Sequence, residues 1–345
     1  MAMAEVTVRG AGVFGLAVGW ACARRGALVT VVDPAGVGAG ASGGPVGALA
    51  PHAPENWSEA KAFQFESLSM AGDWWGAVQA AGGVDPGFAR CGRLQAVADA
   101  AALEQARARA EGAAAHWGAR ATWEVIETCE AGPWAPVSPS GWLVHDTLTA
   151  RVHPRRACAA LAAAIRARGG RLEVEAPDRG QVVHATGAAG LAEIGGGFGR
   201  AVKGQAAVLG LDARDQPLVM GEGLFVVPHA DGTVAVGSTA ETDFDDAEAT
   251  DTQLDAVIAR ALEAMPLLAG ARIVERWAGL RPRARSRAPV LGAHPTRPGQ
   301  FIANGGFKIG FGVAPLAGEV MADLLLDGHD RIPQGFRPEA SLRKG

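Results

Sequence analysis

A strand, a glycine-rich turn, a helix and a second strand follow one another at the start of the chain, and this order constrains the fold more than any other feature of the sequence. Residues 5–9 predict a strand, GAGVFG follows at 10–15, residues 16–25 favour a helix, and residues 28–32 predict a second strand that leads into Asp33. This succession is typical of the unit that binds a dinucleotide at the carboxyl ends of parallel strands.

The three motif glycines and the acid have separate expected roles. Gly10 permits the tight turn, Gly12 lets a pyrophosphate approach the backbone, and Gly15 lets the helix pack closely on the strand. The amides at the helix start favour phosphate, and Asp33, 18 residues after Gly15, is placed to accept hydrogen bonds from a ribose. The alternative is a glycine-rich turn in an ordinary parallel sheet. Arg9 departs from the pattern, because central parallel strands are usually apolar on both faces.

Bulk composition narrows the class of protein. The 345 residues are 48% hydrophobic and 20% charged, which fits a globular protein of one large or two medium domains. A net charge of −4 argues against sequence-independent binding of nucleic acid, which needs a basic face. No apolar run approaches the roughly 18 residues of a membrane-spanning helix, and the first strand leaves no room for a signal peptide, so we expect a cytoplasmic protein. Tyrosine is absent, which excludes phenol chemistry.

The four cysteines, Cys22, Cys91, Cys129 and Cys158, form no CxxC pair and have no histidine cluster beside them. We therefore expect neither a zinc site nor a disulfide framework. Cys22 and Cys158 fall within predicted helices, where a buried thiol acting as a small apolar side chain is the simpler interpretation.

The rest of the chain alternates between helical and extended patterns. A loop of small residues at 36–48 follows the second strand and would let a long ligand run beside bare backbone. The predicted helices are 58–81, 101–117, 155–168, 252–265 and 315–326, and the predicted strands are 93–98, 142–145, 171–175, 181–185, 201–209, 224–228, 233–237, 272–278 and 301–304. A second glycine loop at 305–312 repeats the strand, loop and helix order, so both ends of the chain can hold one long cofactor.

Several segments together resemble the FAD-dependent amine and D-amino-acid oxidase superfamily, and within it the glycine oxidase and sarcosine oxidase-like enzymes. The resemblance covers nearly the whole chain. It rests on GAGVFG at 10–15, the loop from Ser42 to His52, VHPRR at 152–156, HATG at 184–187, VKGQ at 202–205, FVVPHADGTVAVGST at 225–239, RWAGLRP at 276–282 and NGGFKIGFGVAP at 304–315. The order of the segments is specific for the family and less so for the substrate.

The resemblance implies an α/β fold in which a Rossmann-like FAD-binding domain carries an inserted, mainly antiparallel α+β substrate domain. The FAD-binding domain would comprise 1–80, 143–200 and 286–345, and the substrate-binding domain 81–142 and 201–285. A homo-oligomer is possible, and the sequence does not decide the oligomeric state.

FAD is the cofactor that the resemblance implies. The positions expected to contact it are Gly10, Gly12, Val13, Phe14, Gly15, Asp33, Pro34, Ala41, Ser42, Val46, Gly47, Ala48, Asp178, Thr186, Gly187, Gly306, Phe307, Lys308, Ile309, Gly310, Phe311 and Gly312. No cysteine falls in the glycine loops, so we expect FAD to be bound non-covalently.

Three residues are candidates for catalytic roles. Arg281 matches the arginine that binds the substrate carboxylate, and a guanidinium fork suits that task; the alternative is a surface arginine. Lys308 stands where glycine oxidases carry arginine, and is either a second carboxylate partner, a charge near the flavin that assists oxygen activation, or a surface lysine. His52 is either a solvated loop histidine or one near a ring system. Phe225 stands where glycine oxidases have a tyrosine whose hydroxyl helps to orient the substrate. Without that hydroxyl, one hydrogen bond to the substrate carboxylate is missing, which is worth about 1–2 kcal/mol in a buried site.

These expectations combine into one predicted activity. The chain is predicted to oxidise the C–N bond of a small amino acid or N-alkyl amino acid of the glycine, sarcosine or D-amino-acid type. Hydride passes to flavin N5, the imine hydrolyses, and oxygen is the expected acceptor. The alternatives are a dehydrogenase that uses a quinone or protein acceptor, an NAD(P) enzyme, and a catalytically idle flavoprotein subunit.

Overall fold

Two large sheets and one small sheet carry the strands in a computed structural model, which describes residues 3–221 and 223–342. Within these ranges the strands are β1 (Glu5–Arg9), β2 (Leu28–Val32), β3 (Ala48–Leu49), β4 (Arg93–Ala96), β5 (Trp123–Glu127), β6 (Trp142–Asp146), β7 (Ala150–Arg151), β8 (Arg171–Glu173), β9 (Gln181–His184), β10 (Gly199–Gly210), β11 (Leu218–Gly221), β12 (Leu224–Pro228), β13 (Val234–Gly237), β14 (Arg272–Ala284), β15 (Val290–Ala293) and β16 (Phe301–Asn304). The helices are α1 (Val13–Ala23), α2 (Glu59–Gly82), α3 (Ala100–Trp117), α4 (Pro154–Ala167), α5 (Gly187–Ile194), α6 (Thr252–Ala264) and α7 (Gly310–Ala322).

The first sheet has the order β15-β16-β9-β1-β2-β8 and places β1 at its centre. Its strands are parallel except for β15, which runs antiparallel to β16. Helix α1 packs against α4 and α7, and all eleven of its residues are buried. A helix that is apolar all round belongs in such an interior position, so the start of α1 is held rigidly at the carboxyl end of β1.

The second sheet has the order β14-β10-β13-β12-β11-β4-β6-β5, and its pairs are antiparallel except for β11 with β4. Helix α6 covers one face through Leu254, Val257 and Ala261, which join the apolar cluster of β10 to β13. This mixed architecture confirms the predicted α/β fold with a mainly antiparallel second part. The domain boundaries stay a prediction.

Of the elements that the sequence predicted, three differ most from the structure in their extent. Helix α1 starts at Val13 rather than Leu16, and α7 starts at Gly310 rather than Pro315. Strand β14 continues to Ala284, so Arg281 lies within a strand instead of at its end. The continuation is possible because β14 is an edge strand, whose pairing within the described residues is with β10 alone, and an edge strand tolerates Pro282.

Cys22 and Cys158 are buried in α1 and α4, as expected. Burial raises the pKa of each thiol to about 12, since the thiolate is disfavoured away from water. Among the helices that the structure describes, none is both long and apolar enough to cross a membrane. A cytoplasmic location stays a prediction.

Candidate cofactor and substrate site

A cavity of about 970 Å³ opens between the two large sheets. The turns that follow β1, β2 and β9 form one end, where parallel strands present their carboxyl ends. Residues of β10, β12 and β14 form the other end, and the loop after β16 contacts both, because Gly306 lies against Phe14 and the Phe307 N–H donates to the carbonyl oxygen of Pro282 at 3.2 Å. The loop of small residues before β3 runs between the two ends. The cavity therefore has a nucleotide-type end and an end at the antiparallel sheet.

Two glycines build the turn at the nucleotide-type end. Gly10 has φ of 110°, and a Cβ there would lie 2.3 Å from the carbonyl oxygen of Ala185. A Cβ on Gly15 would lie 2.0 Å from the carbonyl oxygen of Gly10. Neither position has room for a side chain, because the turn, the helix and strand β9 meet there. This close packing places the start of α1 against the cavity.

Bare backbone faces the cavity beside this helix start. Gly12, Val13 and Phe14 line the cavity, and the Val13 N–H donates to Ser42 Oγ at 2.9 Å. A Cβ added to the cavity-lining Gly40 or Gly187 would meet no protein atom within 4 Å. Such a cradle of main chain at a helix N-terminus fits the pyrophosphate of a dinucleotide.

Asp33 is held in place at the end of β2. Its carboxylate accepts hydrogen bonds from the N–H of Ala11 at 2.8 Å and of Ala35 at 3.0 Å. A carboxylate offers about four acceptor positions, so oxygen lone pairs remain for a ribose. These two hydrogen bonds fix the orientation of the Asp33 carboxylate, so that it could accept a hydrogen bond from a ribose hydroxyl in the cavity.

Arg9 is explained by a long-range ion pair. Its Nε donates to Asp178 at 2.8 Å and its Nη2 to the carbonyl oxygen of Ala176 at 2.9 Å. Arg9 also lines the cavity, whereas Asp178 is not among the lining residues. The charge sits in a central strand because it is at the carboxyl end, where the strand leaves the apolar layer.

Arg281 dominates the other end of the cavity. Its Nη1 donates to Ser238 Oγ at 3.0 Å, and its Nη2 donates to the carbonyl oxygens of Lys203, at 3.3 Å, and Thr239. Burial lowers the pKa of Arg281 to about 10, and nearby Glu241 opposes that shift. The guanidinium is therefore clamped by neutral acceptors and keeps its charge at neutral pH.

The Nε of Arg281 is buried and makes no hydrogen bond to any residue that the structure describes. A buried charged donor without a partner is costly. The group lies directly over Gly204, where a Cβ would be 2.1 Å from Nη2. Besides Nε, one Nη1 N–H of this cavity-lining side chain is also left without a partner among the described residues, and it suits an anionic oxygen of a ligand.

Lys308 shares this end with Arg281. Both line the cavity, and their charged groups lie 5.8 and 5.6 Å from the centroid of the Phe307 ring. Burial lowers the pKa of Lys308, and the positive charge of Arg281 adds to that effect. Phe225 lines the same end from β12 without offering a hydroxyl.

The structure brings most of the predicted residues to one cavity. Those that line it are Gly10, Gly12, Val13, Phe14, Asp33, Pro34, Ala41, Ser42, Val46, Gly47, Ala48, Thr186, Gly187, Arg281, Gly306, Phe307, Lys308, Gly310 and Phe311. Gly15, Asp178, Ile309 and Gly312 lie outside the lining. Their assignment as binding residues stays a prediction.

His52 is not brought to the cavity. It is exposed in the loop before α2, and its backbone N–H donates to Gln64 Oε1 at 2.8 Å. Of the two interpretations that the sequence left open, the structure matches the solvated loop histidine. It gives no geometric basis for a catalytic role.

Among the cavity-lining residues to which the sequence assigned no role, four stand out. Trp277 on β14 packs on Gly44, Ser238 holds Arg281, and Ala247 and Glu248 reach the cavity from the loop before α6. Only Trp277 carried a local signal, as an aromatic residue two positions before Gly279. Ser238, Ala247 and Glu248 reach the cavity because of where their loops lie, and hydrophobic periodicity does not predict the position of a loop.

Comparison with known proteins agrees with this geometry. The model of the DAO family, described as FAD dependent oxidoreductase, matches residues 5–324. A glycine oxidase from Pseudomonas putida is 34% identical over 126 residues, which is 36% of this chain and 34% of that protein. The alignment thus spans about a third of this curated relative.

Solved structures agree over a much longer stretch. The glycine oxidase from Geobacillus kaustophilus has a TM-score of 0.83 and 23% identity, covering 99% of this chain and 100% of the other. An iminodiacetate oxidase from Chelativorans sp. BNC1 has a TM-score of 0.84 and 22% identity, covering 96% and 98%. At these identities the likeness shows the fold.

Proposed function

The chain belongs to the DAO family of FAD-dependent oxidoreductases, and we propose that it oxidises the C–N bond of a small amino acid or N-alkyl amino acid. The product imine hydrolyses to an oxo acid and an amine or ammonia. Oxygen is the proposed electron acceptor. The coarser assignment, an FAD-dependent amino-acid oxidoreductase of the glycine oxidase type, follows from the family and its relatives.

The observation that carries the proposal is the state of Arg281. Its guanidinium lines the cavity, and its hydrogen bonds among the described residues go to neutral oxygens alone. A substrate carboxylate would supply a negative partner through a charge-assisted hydrogen bond. The same contact would fix the α-carbon of the substrate relative to the cofactor.

The chain's own contribution is binding and orientation. The start of α1 would hold the FAD pyrophosphate, Asp33 the ribose, and the loop from Gly306 to Phe311 the flavin, all without a covalent link. When bound there, FAD supplies the hydride acceptor. Arg281 would hold the carboxylate so that the α-hydrogen is presented in one orientation, and positioning of this kind can lower a barrier substantially.

Arg281→Met tests the carboxylate contact. The purified variant and the wild type would be mixed anaerobically with glycine, sarcosine, D-proline and other D-amino acids while flavin absorbance is followed. We expect kcat/KM to fall about a hundredfold or more, because at least one charge-assisted bond in a dry site is lost. Arg276→Met is the matched control, since Arg276 lies on the same strand, is exposed and pairs with Asp255 at 2.8 Å.

Three outcomes would count against parts of the proposal. A kcat/KM in Arg281→Met within a few-fold of wild type would remove the carboxylate role. Failure of every amine to reduce the flavin would favour an idle subunit. A flavin that amines reduce without stoichiometric peroxide in air would point to a quinone or protein acceptor instead of oxygen.

A further inference from the structure

The guanidinium of Arg281 is held by a segment on the far side of β10. Arg281 lies on β14, which pairs with β10, and its side chain crosses β10 over Gly204. Beyond that strand, Nη1 donates to Ser238 Oγ at 3.0 Å and Nη2 donates to the carbonyl oxygen of Thr239. The position of the guanidinium therefore depends on residues 238–241, which follow the end of β13.

Hydrogen bonds hold this segment against β10. The backbones of Glu241 and Lys203 exchange two N–H···O bonds, each of 2.9 Å. Gln205 donates its backbone N–H to Thr239 Oγ1 at 2.8 Å and its side-chain Nε2 to Glu241 Oε1 at 3.0 Å. The Thr239 hydroxyl donates in turn to the same carboxylate oxygen. The side chain of Glu241 thus fixes, through Thr239, the carbonyl group that Arg281 contacts.

Glu241 also places a buried negative charge behind Arg281. Its Oε2 lies 3.8 Å from Nζ of Lys203, and both side chains are buried. The charge of Glu241 favours the protonated guanidinium, so it opposes the lowering of the Arg281 pKa by burial. Glu241 is not among the residues that line the cavity. Its influence on a ligand must therefore pass through Arg281 and the segment that holds it.

The other charged groups near this end differ from Glu241 in their exposure or position. Glu248 lines the cavity but is exposed. Asp251 lies 3.7 Å from Lys203 Nζ, and its side chain is 45% exposed. Lys308 is a second cation of the cavity wall. Water weakens the effect of exposed carboxylates, so Glu241 is the acid whose loss Arg281 should feel most.

We propose that Glu241 is a positioning residue for substrate binding, which acts through its contact with Thr239 to hold the guanidinium of Arg281 in the orientation that receives a carboxylate. This inference rests on the proposed function, because Arg281 must bind the substrate carboxylate. Loss of the contact should weaken the preference for an anionic ligand while FAD remains bound.

Two unreactive ligands measure that preference without turnover. (Methylthio)acetate and 2-(methylthio)acetamide differ in charge and little in size, and both would be titrated against the flavin spectrum of the FAD-loaded protein. In wild type we expect the acid to bind about 10- to 100-fold more tightly than the amide, the range for a hydrogen bond between charged groups. General loosening of the protein would weaken both ligands alike and leave the ratio of their Kd values unchanged.

Thr239→Val tests the contact while the Lys203–Glu241 ion pair stays in place. The variant lacks the hydroxyl that joins Glu241 to the segment, so we expect the ratio to fall about tenfold at pH 7.5. Thr239→Ser keeps the hydroxyl and should keep the ratio. Thermal unfolding and the absorbance ratio of flavin to protein would be measured for every variant, so that only folded, loaded protein is compared.

Glu241→Met should reproduce the effect of Thr239→Val from the other side of the contact. Because both variants remove one hydrogen bond, the double variant should lose no more of the ratio than either single variant does. Glu241→Gln keeps an acceptor oxygen and should largely keep the ratio at pH 7.5. Arg281, whose pKa is about 10 in wild type, should still be protonated there.

Two controls separate positioning from charge and from stability. Asp251→Ser removes the exposed acid beside Lys203 and keeps an oxygen that can cap α6, where Asp251 accepts from the Gln253 N–H at 2.9 Å. Leu161→Ala lowers stability at a fully buried position of α4. Both variants should keep the ratio within about twofold of wild type.

The two proposals fail in different ways. If wild type prefers the acid, Arg281→Met loses that preference and Thr239→Val keeps it, the positioning inference is wrong and the carboxylate role of Arg281 stands. Losses that multiply in the double variant, or an equal loss in Leu161→Ala, would also overturn the positioning inference. If wild type binds acid and amide equally and no amine reduces its flavin, both proposals are wrong.

Discussion

Gly204→Ala probes the position of Arg281 without removing its charge. A Cβ at Gly204 would lie 2.1 Å from Nη2 and 2.4 Å from the guanidinium carbon of Arg281. Ordinary contacts begin near 3.4 Å, so the guanidinium must move by about 1 Å or more. The atom that moves is the end of a flexible side chain, so the fold should tolerate the change.

A displacement of about 1 Å in a positioning group can cost about a hundredfold in rate. We therefore expect kcat/KM for the best amino acid to fall about a hundredfold in Gly204→Ala, with FAD content unchanged. Stopped-flow reduction of the flavin measures the rate, and the absorbance ratio of flavin to protein measures the content.

Gly210→Ala is the matched control on the same strand. Its Cβ would lie 3.3 Å from a methyl of Val274, remote from the cavity lining. It should keep wild-type kcat/KM. A Gly204→Ala protein that is folded, yellow and within threefold of wild type would refute the reasoning, because the guanidinium could then move without consequence.

Three further outcomes are expected. His229 is buried and its pKa is lowered to about 4; because the unfolded chain binds this proton near pH 6.5, this residue should remove about 2–4 kcal/mol of stability as pH drops from 6.5 to 4, and in urea titrations His229→Asn should lose that part of the slope, while the part due to His294, whose pKa is also lowered to about 4, remains. Exposed Cys129 should react with a thiol reagent at pH 8 in the native protein, whereas Cys158, whose pKa is raised to about 12, should react only after unfolding; equal rates would contradict this. Leu161→Ala, at a fully buried position of α4, should cost about 2–5 kcal/mol of unfolding free energy in urea, and a loss under 1 kcal/mol would contradict the packing.

The nucleotide-type end was the most predictable part of the molecule. Residues 5–33 contain the strand, turn, helix and acid as one contiguous unit, and both predicted strands match β1 and β2 to the residue. Local signals suffice there because the glycines, the helix start and Asp33 meet through short connections. The family resemblance placed Arg281 and Lys308 as candidates.

Other features depended on partners distant in sequence. Strand β14 reaches Ala284 because it pairs with β10 along its whole length, which no local pattern around Pro282 suggests. Arg9 is accommodated by Asp178, 169 positions away. The sequence left two interpretations of His52, near a ring system or in solvent. Only the position of its loop in the fold favours the second.

By itself, the sequence determined the class of fold and the cofactor end, since periodicity, glycine spacing and terminal acids act within a few residues of one another. Only the tertiary structure decided which charges are balanced. Arg281 and Lys308 come from different segments, and neither segment reveals that their charges share one cavity end with no carboxylate within 4 Å among the described residues. Electrostatic balance depends on distance in space, and folding alone sets those distances.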